Sequence, residues 1–193
     1  MDKHTQFFST YSVSLYFDDA SAAQLRHAAE RISLVTGNNY MIQHSVPPHI
    51  TLGMFHAAEN NLQLLKKVFG DFADKAAIFS TVFSFSGVNS FYDKVIFLYP
   101  AEEAAAHFKE LNLILHEMFL PLFEAGGNLN YLPCNWYPHT ALAVKLNPYQ
   151  FKKGYEETLR LFEEKTLKRN TMKIASLGLA LCKPYTELSK FSI

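Results

Sequence analysis

Segments with the hydrophobic periodicity of a β-strand alternate with segments that have the periodicity of an α-helix along the 193-residue chain. Alternating apolar and small polar residues at Tyr11–Phe17 predict a half-buried strand. Apolar residues three and four positions apart over Ala20–Val35 then predict an amphipathic helix. Asp18 and Asp19 stand where a helix cap is expected, and Gly37 with the two asparagines after it ends the pattern. The same two periods recur up to the C-terminus.

The remaining elements are predicted in the same way. Helices are expected from about Glu59 to Asp74 and over Ala101–Phe123 and Pro148–Lys165. A tight turn is expected at Asn89–Asp93. Strands are predicted at His49–Phe55, Ile78–Val88, Lys94–Tyr99, His139–Leu146 and Thr171–Cys182, with a short last strand ending at Ile193.

The order strand–helix–strand–helix–strand therefore occurs twice, and only the turn at Asn89–Asp93 separates the two copies. We expect an α/β (α+β) fold with two pseudo-symmetric lobes of antiparallel-rich sheet, outer helices and a central cleft. The whole chain, 1–193, is predicted to be a single bilobal domain with lobe halves of roughly 1–90 and 91–193.

Composition narrows the class of protein. Hydrophobic residues make up 49% of the chain and charged residues 19%, which excludes a disordered sequence. Lys plus Arg and Asp plus Glu both number 18, so no overall field attracts nucleic acid or an anionic membrane. A partner that carries phosphate must then be recognised by a local site.

Two isolated cysteines, Cys134 and Cys182, form neither a disulfide framework nor a zinc knuckle. Free thiols of this kind are typical of a reducing compartment. No apolar run is as long as a signal peptide core or a membrane span. We therefore expect a cytoplasmic monomer that does not contact membranes.

One short motif is duplicated. Pro48–Leu52 and Pro138–Leu142 both read Pro-His-x-x-Leu, and each stands where a loop leads into a predicted strand. Such a duplication indicates an internal repeat. Because alternate residues of a strand share a face, each histidine should lie beside small residues and opposite apolar ones. The predicted histidine faces are His49, Thr51 and Gly53 in the first copy, and His139, Ala141 and Ala143 in the second.

If a pseudo-twofold axis relates the halves, His49 and His139 face each other across the cleft. Two opposed imidazoles suit proton transfer near neutral pH, because an unperturbed histidine titrates near 6.5. One can act as a base toward water while the other protonates a leaving oxygen, without a metal. The Thr51 hydroxyl, two residues along the same strand, can donate to a phosphate oxygen.

These residues carry a family resemblance. The two His-x-[Thr/Ser]-x-hydrophobic motifs, about ninety residues apart, resemble those of the two-histidine (2H) phosphoesterases, which include 2′-5′ RNA ligase-like and 2′,3′-cyclic phosphodiesterase proteins. Trp136–His139 is similar to the run before the second family motif, and Leu177–Ile193 is similar to the closing hairpin. The resemblance covers nearly the whole chain in its order of elements.

The resemblance implies that His49 is the general acid and His139 the general base for hydrolysis of a 2′,3′-cyclic phosphate. Its substrate would be an RNA 3′ end or a small cyclic nucleotide, Thr51 would bind phosphate, and no cofactor or metal would be needed. Tyr137 has the parity of His139 and is a candidate for stacking on a base. The second motif departs from the family pattern, since Ala141 replaces the Thr/Ser and Thr140 should face the core.

Other interpretations stay open. A non-catalytic module that binds nucleotides or RNA ends would keep the cleft without the second hydroxyl. A metal-dependent hydrolase would require a site built from His44, His49 and His139. His116 is predicted to be a solvated or capping helix residue, and parity places His56 on the face opposite His49. A purely structural partner protein has no specific support in the sequence.

Overall fold

Antiparallel pairing forms two sheets in the computed structural model, which describes residues 8–77, 82–127, 129–164, 167 and 171–193. The strands are β1 Phe8–Phe17, β2 His49–Ala58, β3 Val82–Phe83, β4 Phe85–Phe91, β5 Val95–Pro100, β6 Glu124–Ala125, β7 Thr140–Ala143, β8 Met172–Cys182 and β9 Tyr185–Ser192. The first sheet has the order β3-β8-β1-β2-β6, with β9 paired to β8, and the second has the order β4-β5-β7.

Helices pack against both sheets. Short 3-10 turns occur at Glu59–Asn61 and Leu129–Tyr131. None of the helices in the described part of the chain has the length and apolarity needed to cross a membrane. The helices are α1 Asp19–Thr36, α2 Tyr40–Gln43, α3 Leu62–Ala76, α4 Glu102–Phe119 and α5 Pro148–Glu163.

Local sequence sets the helix ends. The Asp18 side chain accepts a hydrogen bond from the Ser21 backbone N–H at 2.8 Å, which confirms the predicted cap of α1. Gly37 ends that helix with a φ of 71°, a conformation that glycine adopts without steric cost. Asn147 and Gln150 form a reciprocal capping box at the start of α5.

The predicted α/β (α+β) architecture and its twofold element order are confirmed. The sheets, however, do not coincide with residues 1–90 and 91–193. β1 and β2 take β8 and β9 from the second half of the chain, while β5 and β7 take β4 from the first half. The reason is that β1 has a neighbour on each edge. β2 pairs with one edge of β1, and β8 supplies the hydrogen-bond partners for the backbone groups on the other edge of β1.

The helices are exchanged between the halves as well. α1 packs on α5 and β7 over the second sheet, whereas α4 packs on α3 and β2 over the first. Each lobe is therefore covered by one helix from each half. This exchange is compatible with the predicted pseudo-symmetry, because both halves send their first helix to the other lobe.

Four predicted element boundaries are wrong. The turn predicted at Asn89–Asp93 begins later, because Asn89, Ser90 and Phe91 still belong to β4. Ile78–Val88 is not one strand: its residues 78–81 lie outside the described residues, and the rest divides between β3, which pairs with β8, and β4, which pairs with β5. The helix predicted over Ala101–Phe123 ends at Phe119, and Leu122 is exposed. The strand predicted at His139–Leu146 is only four residues long.

Candidate active site

Both histidine strands carry a β-bulge at the same motif position. In β2, Thr51 pairs with Ser14 and Gly53 with Val13, so Leu52 has no partner in β1. In β7, Ala141 pairs with Phe97 and Ala143 with Ile96, so Leu142 has no partner in β5. The unpaired residue is the leucine of Pro-His-x-x-Leu in each case. The structural repeat is thus more extensive than the sequence repeat.

The bulge in β2 changes the predicted side-chain faces beyond the motif. His49 and Thr51 are half-buried while Ile50 and Leu52 are fully buried, as strand parity predicted. After Leu52 the parity reverses, because one extra residue rotates the following side chains to the other face. The predicted placement of Gly53 beside Thr51 is therefore wrong, since Gly53 packs against α4.

His56 is affected by the same reversal. Its cross-strand partner is Thr10, which shares the even parity of Ser14 and Tyr16 in β1, the partners of Thr51 and His49. His56 therefore lies on the same face as His49, not on the opposite face as predicted. Its Nδ1 is 3.1 Å from the Thr10 hydroxyl.

The second motif strand shows the same reversal. Ala143 was predicted beside His139 but is buried, and Val144 instead lines the cleft. Thr140 is buried, as predicted, and its Oγ1 has no hydrogen-bond partner. Ala141 lies on the cleft wall where the family pattern has a hydroxyl. The bulge follows Thr140 and so does not turn its hydroxyl toward the cleft.

A cavity of about 530 Å³ lies between the two motif strands. His49, Thr51, Tyr137 and His139, the four residues proposed from the sequence, all line it. None of its described lining residues is Asp, Glu, Lys or Arg. An anion in this cavity would be held by imidazoles, hydroxyls and amides, and not by a lysine or arginine.

Identical backbone bonds orient the two imidazoles. His49 Nδ1 donates to the Pro47 carbonyl at 2.8 Å, and His139 Nδ1 donates to the Tyr137 carbonyl at 2.7 Å. Each acceptor is two residues before its histidine. Because a carbonyl oxygen only accepts, Nδ1 carries the hydrogen in both rings, and Nε2 is the atom that accepts or loses a proton.

Burial lowers the pKa of both histidines below the ordinary value of 6.5. The pKa of His139 is lowered further by the charge of His49. The two rings therefore interact electrostatically, and one proton on the pair disfavours a second. Such a pair is able to hold one acid and one base at the same time.

The two walls of the cavity differ in chemistry. On the first sheet, the Thr51 side chain lines the cavity together with Tyr131, and the Thr51 hydroxyl lowers the pKa of the Tyr131 phenol. On the second, the His139 ring lies 5.0 Å from the Phe91 ring and 5.1 Å from the Phe97 ring. One wall offers hydroxyl groups to a phosphate, and the other offers aromatic faces and edges.

Tyr137 belongs to the aromatic wall. Its side chain is 38% exposed and its ring lies 5.9 Å from that of Tyr99. The aromatic face is thus partly accessible from the cavity, as stacking on a planar ligand requires.

Known protein structures share the fold of this chain, although no family model and no curated protein matches its sequence. Usb1 from Kluyveromyces marxianus superposes with a TM-score of 0.51 at 14% identity, over 96% of this chain and 98% of that one. E. coli LigT in complex with 3′-AMP superposes with a TM-score of 0.51 at 12% identity, over 97% and 99%. This chain has the two-histidine phosphoesterase fold. The predicted fold resemblance is confirmed.

Two other histidines considered in the sequence analysis, His44 and His116, do not line the cavity. His44 is exposed, packs edge-on against Tyr40 with ring centroids 4.1 Å apart, and does not line the cavity. Within the described ranges, no three His, Cys, Asp or Glu side chains are grouped as metal ligands would be. The structure therefore does not bring His44, His49 and His139 together as the alternative metal site would require.

His116 is not solvated, contrary to the prediction. It is 2% exposed, donates from Nδ1 to the Asn112 carbonyl at 2.7 Å, and has no partner at Nε2. Its ring packs against Gly53 and Phe55 in β2. The prediction failed because Gly53, turned inward by the bulge, leaves space for an imidazole.

Sequence reasoning missed the residues that connect the two motifs. Tyr131, which lines the cavity with Thr51, lies in a Pro-bearing loop, and such a loop by itself predicts no site. Asn112 lies in the middle of an amphipathic helix and is 1% exposed. No hydrophobic periodicity or sequence motif marks Asn112 or Tyr131 as a residue of the site.

Proposed function

We propose that this protein is a metal-independent phosphoesterase that hydrolyses the 2′,3′-cyclic phosphate of an RNA 3′ end or of a small nucleotide. The observation that carries the proposal is the matched pair of imidazoles, each with Nδ1 bonded to a backbone carbonyl and both lining one cavity. The fold shared with a LigT structure that holds 3′-AMP supports a nucleotide ligand.

The proposed reaction uses one proton on the pair. Neutral His139 Nε2 takes a proton from water as the water oxygen forms a bond to phosphorus. The bond from phosphorus to one ribose oxygen breaks, and protonated His49 Nε2 gives its proton to that oxygen. The product is a ribose phosphomonoester. His139 then holds the proton taken from water and His49 is neutral, and proton exchange with solvent restores the starting state.

Thr51 and Tyr137 bind the substrate in this proposal. The Thr51 hydroxyl donates to a non-bridging phosphate oxygen, with Tyr131 as the neighbouring hydroxyl. Tyr137 offers an aromatic face to the nucleoside base. A cyclic phosphodiester carries a single negative charge, which suits a cavity whose described lining has no lysine or arginine.

The test is hydrolysis of 2′,3′-cyclic nucleotides and of short RNA with a cyclic phosphate end, in EDTA. His49→Ala and His139→Ala should each lower kcat by about 10²–10⁴-fold, the usual contribution of a general acid or base. His44→Ala is the matched control, because it removes an exposed imidazole outside the cavity. Product analysis identifies the oxygen that keeps the phosphate. Turnover that survives either cavity substitution contradicts the two-histidine mechanism.

A second candidate is a module that binds nucleotides or RNA ends without turnover. Ala141 favours it, because one motif lacks the hydroxyl that would stabilise developing charge on the phosphate. Calorimetry with cyclic and linear nucleotides separates the two candidates. Binding that depends on Thr51 but is accompanied by no hydrolysis would support the binding module.

A further inference from the structure

The segment that leads to His139 is attached to the strand that carries His49. We call residues 129–138 the approach loop. Trp136 Nε1 donates to the Thr51 carbonyl at 3.1 Å. The Asn112 side-chain amide, from α4, donates to the Leu52 carbonyl at 2.6 Å and to the Tyr131 carbonyl at 3.0 Å. These three hydrogen bonds join the approach loop, β2 and α4.

Two of the accepting carbonyls, those of Thr51 and Leu52, belong to a part of β2 where the sheet does not continue. β6 pairs only with Phe55 and His56, so it leaves Thr51 and Leu52 without a strand neighbour on that side. Buried carbonyls need donors, and side chains supply them here. Trp136 is 5% exposed and Asn112 is 1% exposed, so water does not compete strongly for these bonds.

Both ends of the attachment reach the cavity. In β2 it holds the backbone of Thr51, two residues after His49. In the approach loop it holds Trp136, directly before Tyr137, whose carbonyl accepts the Nδ1 hydrogen of His139. A displacement of the loop relative to β2 would change the separation of the two imidazoles.

We propose that Trp136 and Asn112 are positioning residues that set the separation of His49 and His139. The catalytic consequence rests on the proposed function, whereas the geometric one does not. A shift of about 1 Å between groups that must act together costs on the order of 10²-fold in rate. The indole N–H and the amide N–H groups, which are bonded to backbone carbonyls, therefore control kcat through the backbone that they hold.

The sequence allows the indole N–H donor to be removed selectively. Trp136 is the sole tryptophan of the sequence, so growth on β-(3-benzothienyl)alanine replaces that side chain alone. The analogue has sulfur in place of the N–H and keeps the shape of the ring. Trp136→Phe and Asn112→Ser are the genetic counterparts. Tyr155→Phe is the matched control, because it removes a side-chain bond to the Val88 carbonyl.

The direct readout is the electrostatic coupling between the imidazoles, followed by NMR titration of His139. When no donor has been removed, His49→Gln should raise the pKa of His139, because it removes the like charge of His49. In the benzothienyl protein and in Asn112→Ser, we expect His49→Gln to raise it by less than half as much. The control should leave the coupling unchanged. A folded protein whose coupling is unaffected by loss of either donor overturns the proposal.

Kinetics separate this proposal from the function it rests on. If the protein hydrolyses cyclic phosphates, the benzothienyl protein should lose about 10-fold or more in kcat, with KM within about twofold. If it hydrolyses none of them, the NMR coupling still decides the geometric proposal. A merely structural role would instead lower thermal stability without changing the coupling, and that result would also overturn it.

Discussion

At the scale of single residues, the two imidazoles are prepared in the same way for different tasks. Each donates from Nδ1 to a carbonyl two residues earlier, so the reactive atom is Nε2 in both. Burial lowers the pKa of both rings, and the charge of His49 lowers the pKa of His139 further, so that a proton on one ring disfavours a proton on the other. The proposed reaction needs this singly protonated state.

The lowered pKa values predict an acidic optimum. Above pH 6.5 both imidazoles of the free protein are mostly neutral, so the acid is missing. Well below their folded pKa values both are protonated, so the base is missing. We expect kcat/KM to peak below pH 6.5, the ordinary histidine value. A pH–rate series from about pH 5 to about pH 8 checks this, and a peak above neutrality would contradict it.

Ala141 gives a second prediction at this scale. Ala141→Thr should restore a hydroxyl on the second wall, because the position lines the cavity beside His139. One well-placed donor is worth about 10²–10³-fold in kcat, so a rise of about tenfold or more is expected after imperfect placement. Ala141→Val is the control with the same shape and no hydroxyl. Equal rates in the two variants would mean that the hydroxyl does not reach the phosphate.

At the scale of elements, the bulges and one close contact shape the first sheet. Gly178 of β8 lies beneath the ring of Tyr16 in β1, and a Cβ there would overlap the ring. The Tyr16 ring centroid is 6.2 Å from that of His49, and its phenol is 2.9 Å from the Tyr185 phenol. The Tyr16 ring therefore lies next to His49 only because residue 178, in the neighbouring strand, is a glycine.

The Gly178→Ala substitution should displace Tyr16 and lower the free energy of unfolding by about 1–3 kcal/mol. Gly70→Ala is the matched control: its Cβ would meet nothing nearer than 3.8 Å, and the helix interior of α3 favours alanine by about 0.8–1.0 kcal/mol. Urea unfolding of both variants measures the difference. Equal stabilities would show that the Tyr16 ring moves aside at no cost.

At the scale of the whole molecule, the halves of the chain are interleaved. The first sheet needs β8 and β9 from the second half, and the second sheet needs β4 from the first. Neither half is able to complete its own sheet. We propose that residues 1–193 fold as one bilobal domain, and we expect a single transition in calorimetry with equal calorimetric and van't Hoff enthalpies.

Acid should lower the free energy of unfolding of this domain, and His116 should account for part of that loss. Burial lowers the pKa of His116 below 6.5 in the folded state, while the unfolded chain keeps the ordinary value. The unfolded state therefore binds an extra proton as pH falls from 6.5 toward the folded pKa, and stability is lost in that window. The contribution is at most about 1.4 kcal/mol per pH unit. His116→Gln should flatten the dependence by that amount, and an unchanged slope would contradict the assignment.

The sequence by itself determined most of the elements, the cap at Asp18, and the motif faces that place His49 and Thr51 opposite the buried Ile50. These features depend on neighbours within a few residues, and periodicity and side-chain chemistry record such neighbours directly. The family resemblance came from the same short-range information. The fold it implied is confirmed by solved structures at 12–14% identity.

The tertiary structure alone decided the parity reversal after Leu52, the exchange of strands between halves, and the burial of His116. It also decided which buried donors satisfy the carbonyls of β2. A bulge depends on the register with a distant strand, and a buried polar group depends on partners from three elements. Interactions between residues far apart in the chain leave no periodic trace in either segment, so they appear only when the segments are packed together.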